Sequence, residues 1–148
     1  MTKPLKPKRV TSGEFAGWQS WQADEYEAKT VGPFYHRVDD AGSITAMRVE
    51  TRHLNGGGVM HGGALMSFAD GALFNISEEV MDGIYGVTVT MNSEFLSAAK
   101  LGQMLEARGD VLRAGRSLIF VRGLITADGV PCLNFSGTIK KIRAKAPS

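Results

Sequence analysis

The sequence predicts an α+β fold in which a long apolar helix is wrapped by a strongly curved antiparallel sheet of five to six strands, with an extra helix at the N-terminal side. Three observations carry this. The run from Ala64 to Ile76 places Ala64, Leu65, Phe68, Ala69, Ala72, Leu73 and Ile76 over more than half a helical circumference, too broad for a surface helix. From Gly86 onward, apolar residues recur at alternate positions in long segments. Turn signals separate those segments at Lys100-Leu101-Gly102, Ala114-Gly115 and Asp128-Gly129.

In chain order, residues 1–10 carry Pro4 and Pro7 among lysines and read as a flexible basic arm. Thr11-x-x-Glu14 has capping-box spacing, and Phe15, Trp18, Trp21, Gln22 and Tyr26 follow at helical intervals, which predicts a helix over 12–28. Gly32-Pro33 ends it. Phe34–Asp39 and Ser43–Arg52, joined by Asp40-Ala41-Gly42, read as a hairpin. After the Gly56-Gly57-Gly58 loop comes the central helix. The alternation at Val87, Val89 and Met91, then 104–112, 117–126 and 131–142, reads as a four-strand meander. Neither a repeat nor a linker divides the chain, so 11–143 is expected to be one domain followed by a tail, 144–148.

Composition narrows the function classes. The 148 residues are 43% hydrophobic and 22% charged, without an apolar run approaching the ~20 residues of a membrane span. Eight of seventeen basic residues sit at the two ends, leaving nine basic against fifteen acidic side chains between them; this argues against a nucleic-acid-binding face. The basic ends read as solvated tails or as contacts to a phosphorylated ligand. One cysteine, Cys132, builds no disulfide framework, and no secretory pattern opens the sequence, so a reducing cytoplasm is expected.

The chemistry concentrates in His61-Gly62-Gly63 and Asp70. Two glycines at a helix start let a ligand approach the backbone, and the orphan N–H groups of the first turn point outward with the positive end of the helix dipole behind them. That is an anion or oxyanion site, or simply a loop-to-helix joint. Asp70 is an acid among apolar neighbours with no Lys or Arg at i±3 or i±4, so it is either used chemically or bonded to groups on a neighbouring strand. From Gly63 it lies seven residues along, roughly 10 Å at 1.5 Å per residue, whereas an attacking group must come within about 3.5 Å of its carbon. If both act on one carbonyl, they come from two copies of the chain.

Asn55, His61-Gly62-Gly63, Asp70, then Gly86-Val87-Thr88-Val89-Thr90-Met91-Asn92 and Lys100-Leu101-Gly102 together resemble the hotdog-fold acyl-CoA thioesterases of the phenylacetic-acid-degradation (PaaI-like) family, over about residues 50–140. The resemblance implies a hotdog fold and hydrolysis of an acyl-CoA to free acid and CoA. Asp70 would be general base or nucleophile, Gly62 the oxyanion donor, Asn55 a support for the carbonyl end, His61 an organiser of the loop, and Thr88 the residue that positions water. Gly63, Phe95, Ser97, Lys100, Arg113, Gly115, Arg116 and Ser117 would bind substrate, although Arg116, Lys100 and Arg113 equally read as exposed turn residues. Relatives commonly carry a proline before the Lys-Leu-Gly turn; Ser97-Ala98-Ala99 has none. The family assembles as homodimers or dimers of dimers.

Hydrolysis of a thioester requires neither metal nor cofactor, and His36, His53, His61 and Cys132 have no metal-binding spacing. A GxSxG elbow is absent. Medium-chain or aromatic acyl groups suit Met66, Phe68, Phe74, Met91 and Phe95, which otherwise form core. The alternatives are a hotdog hydratase or dehydratase on acyl thioesters and a non-catalytic acyl-CoA-binding module. Crotonyl-CoA hydration would mark the former, and binding without thiol release the latter.

Overall fold

The computed structural model of the chain describes residues 6–22 and 26–143. Eight strands form one sheet in the order β1-β2-β3-β4-β6-β7-β8-β5, with every neighbouring pair antiparallel. The strands are β1 (Lys8–Arg9), β2 (Gln19–Ser20), β3 (Tyr35–Asp39), β4 (Gly42–Arg48), β5 (Tyr85–Phe95), β6 (Met104–Ala114), β7 (Leu118–Ala127) and β8 (Val130–Ile142). The central helix α1 (Gly62–Ile76) precedes a single turn, α2 (Glu78–Met81). Leu65, Phe68, Ala69, Ala72 and Leu73 of α1 are buried against Leu105, Ile119, Val121, Ile125, Leu133, Phe135 and Ile139 of the sheet. The helix lies so close that a Cβ on Gly137 of β8 would come within 2.5 Å of Leu73 Cδ1.

The sheet departs from the sequence expectation in three places. It has eight strands rather than five to six, the two additional ones being two-residue strands of the N-terminal segment. β4 stops at Arg48 instead of 52, and Thr51–His53 forms a 3₁₀ turn. The expected four-strand meander is three strands, β6-β7-β8. β5 crosses to the far side and pairs with β8, because α1 and its following loop deliver the chain to that edge.

The helix expected over 12–28 is not formed in the described residues 12–22. Gly13 and Gly17 take φ of +81° and +89°, left-handed values that break a right-handed helix twice. Glu14 does not cap; its carboxylate pairs with Arg48. The segment instead folds as a strap: Lys8–Arg9 of the expected flexible arm pairs with Gln19–Ser20, which pairs with β3. A π-helix follows over Tyr26–Val31. The aromatic spacing that mimicked a helix serves the strap differently. Phe15 stacks on Tyr35 at 4.0 Å, and Trp21 stacks on His36 while donating its indole N–H to Asn75 Oδ1 at 3.0 Å. Residues 1–5 of the arm, 23–25 of the expected helix and the tail 144–148 lie outside the described residues.

His36 is 2% exposed, neither ring nitrogen has a hydrogen-bond partner, and burial pushes its pKa down to about 4. Between pH 4 and 6.5 the unfolded chain therefore binds a proton that the folded chain refuses. Stability is expected to fall as pH drops from about 6.5 through 4, by up to about 3 kcal/mol. Glu78, whose Oε2 lies 3.8 Å from His36 Nε2, is shifted up by burial and acts with the opposite sign. Comparing melting curves of the unmodified protein and His36→Phe across that window isolates the histidine; parallel curves would refute its role.

Candidate active site

The helix start is built by residues on either side of the glycines. His61 is the N-cap, and its Nδ1 accepts from Gly63 N–H at 2.8 Å, satisfying one of the orphan donors of the first turn. His61 N–H donates to His53 carbonyl at 2.8 Å, and Leu65 N–H donates to His61 carbonyl at 3.1 Å. Gly62 N–H has no acceptor among the described residues. It is a free donor at this helix end, as is Ala64 N–H, whereas Gly63 N–H is committed to the cap. Asn55 shapes the approach: its Oδ1 accepts from Gly57 N–H at 2.9 Å and Val59 N–H at 3.3 Å, closing the glycine loop.

Asp70 is half-buried. Thr88 Oγ1 donates to Asp70 Oδ1 at 2.5 Å. This is the hydroxyl on a neighbouring strand that the sequence left open as one explanation of the acid, and it leaves the second carboxylate oxygen for other chemistry. A register shift between Thr88 and Thr90 against β8 places a bulge beside this threonine.

α1 and β5 run in opposite senses. Gly62 lies by Phe95, since a Cβ there would come 3.3 Å from Phe95 Cε1 and Cζ; Ser93 Oγ reaches Met66 Sδ at 2.8 Å; and Asp70 meets Thr88. The amide and the carboxylate thus mark opposite ends of this ladder, eight residues and about 12 Å apart along the helix.

The remaining candidates divide between the two ends. Phe95, Ser97 and Lys100 belong with Gly62: Ser97 Oγ donates to Pro131 carbonyl at 2.7 Å, and Lys100 bridges backbone to backbone with Val59 of the glycine loop. Gly115, Arg116 and Ser117 form the β6–β7 turn, closed by Gly115 N–H to Leu118 carbonyl at 2.8 Å, and Arg113 lies just before it in β6, opposite Phe120. Thr88 pairs with Ile139, Ile139 with Ile119, and Ile119 with Ala114, so this turn is level with the Asp70 end but about 14 Å across the sheet. Two cavities, of about 310 Å³ beneath the strap at Glu14, Tyr35 and Arg48 and of about 500 Å³ over Arg108, Arg122 and Asn134, include neither Asp70 nor Gly62.

Other nucleophiles and ligand sets are placed elsewhere. Cys132 is fully buried and its thiol is pushed up to about 11, mainly by burial, which makes it inert. Among the described residues no three His, Cys, Asp or Glu side chains converge on a metal position, and no helix is long and apolar enough to cross a membrane. Sequence reasoning missed Tyr26, His53 and Ser67, which bond around the helix start. The one available signal was Ser67, a hydroxyl four residues after Gly63 on an otherwise apolar helix.

Fold and helix start together define a hotdog thioesterase. Residues 57–132 match the profile of the Thioesterase superfamily, and the chain belongs to that family, an enzyme of the thioester-hydrolase class. It is 33% identical over 94 residues to a candidate esterase of Pseudomonas aeruginosa, covering 61% of this chain and 69% of that protein. It is 37% identical over 81 residues to acyl-coenzyme A thioesterase 13 of Homo sapiens, covering 52% of this chain and 55% of that protein, so it spans about half the length of that relative. In three dimensions it resembles the PaaI protein of the Escherichia coli phenylacetic acid degradation operon, with a TM-score of 0.61, 23% identity, and coverage of 68% of this chain and 72% of that one.

Proposed function

We propose that the protein hydrolyses acyl-CoA thioesters carrying medium-chain or aromatic acyl groups, in sites shared between two copies of the chain. The observation that carries this reading is the placement of a free amide, Gly62, at the first residue of one helix and a hydroxyl-anchored carboxylate, Asp70, at its ninth. At about 12 Å they cannot act on one carbonyl from the same chain. β5 supplies the remedy. It is the last strand of the sheet, eleven residues long, with one edge unpaired and Tyr85, Val89 and Phe95 exposed along it. Such an edge is a liability unless covered. Antiparallel pairing of two β5 edges about a two-fold axis near Met91 and Asn92 sets the Thr88 end of one copy against the Phe95 end of the other, and so Asp70 against Gly62.

In that seam Gly62 N–H polarises the thioester C=O. Thr88 holds one oxygen of Asp70, and the other takes a proton from water as its oxygen attacks the carbonyl carbon. The tetrahedral intermediate collapses, the carbon–sulfur bond breaks, and the proton passes from Asp70 to the departing thiolate. Lys100 at the Gly62 end of the ladder, and Arg116 on the β6–β7 turn three strands across the sheet from Thr88, offer cations to the CoA phosphates. Hydration chemistry would need a histidine as acid or base at the acyl chain. His53 has both ring nitrogens engaged, and at His61 the acceptor role of Nδ1 toward Gly63 puts the neutral ring's proton on Nε2, leaving no nitrogen to act as base, which favours attack at the carbonyl. The name of the human relative supports CoA as the carrier.

The test is thiol release across a panel of short, medium-chain and aromatic acyl-CoAs, comparing the unmodified protein with Asp70→Asn. Hydrolysis strongest on medium-chain or aromatic substrates is expected, with kcat lowered about 10²- to 10⁴-fold in the variant. Binding without thiol release, or an Asn variant as active as the parent, would refute the proposal.

A further inference from the structure

We infer that Tyr26 and His53 are positioning residues for the Gly62 amide, bracing the glycine turn from the two ends of the π-helix Tyr26–Val31; this rests on the reading that Gly62 N–H polarises the thioester carbonyl. Two adjacent glycines give the backbone wide conformational freedom, yet an oxyanion donor contributes only if it already points at the developing charge. The turn therefore has to be held by its neighbours.

Each peptide group around the free donor is held. His61 N–H is bonded to His53 carbonyl at 2.8 Å, His61 carbonyl to Leu65 N–H at 3.1 Å, Gly63 N–H to His61 Nδ1 at 2.8 Å, and Gly63 carbonyl accepts from Ser67 Oγ at 2.9 Å. Ser67 spends its only proton on that carbonyl. The 2.8 Å contact between Tyr26 hydroxyl and Ser67 Oγ therefore has Tyr26 as donor. A chain of two hydrogen bonds in one direction runs from Tyr26 through Ser67 to Gly63, each polarising the next.

The other end of the π-helix is tied to the same turn. His53 is 3% exposed. Its Nδ1 accepts from Glu50 N–H at 2.9 Å, which puts the ring proton on Nε2, and Nε2 donates to Val31 carbonyl at 2.7 Å. Burial lowers its pKa, which favours this neutral form. The Arg52 guanidinium takes the carbonyls on either side, Thr30 and Gly32. Three consecutive carbonyls at the end of the π-helix are thus gripped by Arg52 and His53, and the backbone carbonyl of His53 holds His61, next to Gly62. The same short helix starts at Tyr26, whose hydroxyl reaches the far side of the turn. It is a strut fastened on both sides of the oxyanion donor.

Tyr26 is 56% exposed, so Tyr26→Phe removes the hydroxyl without opening the core. Its kcat on the preferred acyl-CoA is expected to fall about five- to tenfold with KM and melting temperature unchanged. Ser67→Ala should show a similar loss, and the double variant no more than either alone. His53→Leu should lower kcat likewise, and His53→Gln, which restores a donor toward Val31 carbonyl, should recover much of it. A Tyr26→Phe enzyme with unaltered kcat, a change in KM alone, or a loss of melting temperature without loss of kcat overturns the inference. Gly62→Pro and Gly62→Ala measured alongside separate the two levels of the argument. If the proline variant is as active as the alanine variant, the Gly62 reading and the brace fall together; if it is inactive while Tyr26→Phe is fully active, only the brace falls.

Discussion

Gly62→Pro is expected to lower kcat by a factor of about 10² to 10³, the usual cost of removing one oxyanion donor, while Gly62→Ala retains most of the activity. Proline deletes a single N–H, and at this position the backbone tolerates it. Gly62 is the first residue of α1, where proline is favoured because its missing donor is an orphan anyway. The preceding His61 sits at φ −59° and ψ 133°, in the extended region that a residue before proline prefers. No hydrogen bond is lost, since the Gly62 amide has no acceptor among the described residues. Both variants place a Cβ 3.3 Å from the Phe95 ring, which is 57% exposed and free to shift. The alanine variant therefore carries the Cβ contact alone, and the proline variant adds the loss of the donor together with the ring carbons Cγ and Cδ. Steady-state thiol release on the two proteins sets an upper limit on the amide's contribution by difference, and equal rates would dismiss it.

Mixing two inactive variants is expected to restore activity. In a hybrid of Asp70→Asn and Gly62→Pro chains, one seam combines both defects and the other combines an intact Asp70 with an intact Gly62. Random reassociation gives hybrids in half of the dimers, each with one working site, so the mixture should recover about one quarter of the unmodified specific activity. If instead each chain carried a whole site, every site in every dimer would hold one defect and nothing would return. Co-refolding the two variants and assaying before and after exchange discriminates the outcomes. Each unmixed variant serves as its own background.

Much of the scaffold is legible in the chain because its signals are local. The apolar stripe from Ala64 to Ile76 gives α1, the alternation after Gly86 gives the long strands, and His61-Gly62-Gly63 marks the helix start where the structure has it. The strap was misread because Phe15, Trp18 and Trp21 recur at helical intervals for another reason, as plates against Tyr35, Arg37 and His36. Gly13 and Gly17 were the warning, since two glycines within five residues weaken any helix. The crossing of β5 is not legible, because alternation reports which face is buried and not which strand lies alongside. Asp70 could be singled out as an acid without a local partner, but its bond to Thr88 spans eighteen residues and depends on how α1 packs against β5. The relay from Tyr26 to Gly63 spans still more, and only the folded chain brings it together.

One consequence of the separation of Gly62 and Asp70 along α1 concerns the newly made chain. If the amide and the acid never meet within a single copy, a lone molecule leaving the ribosome is chemically silent toward the cell's activated acids, and hydrolytic power begins only on encounter with a twin. Below the dissociation constant of that encounter, output scales with the square of the amount of chain, so a scarce protein spares its substrates and an abundant one consumes them abruptly.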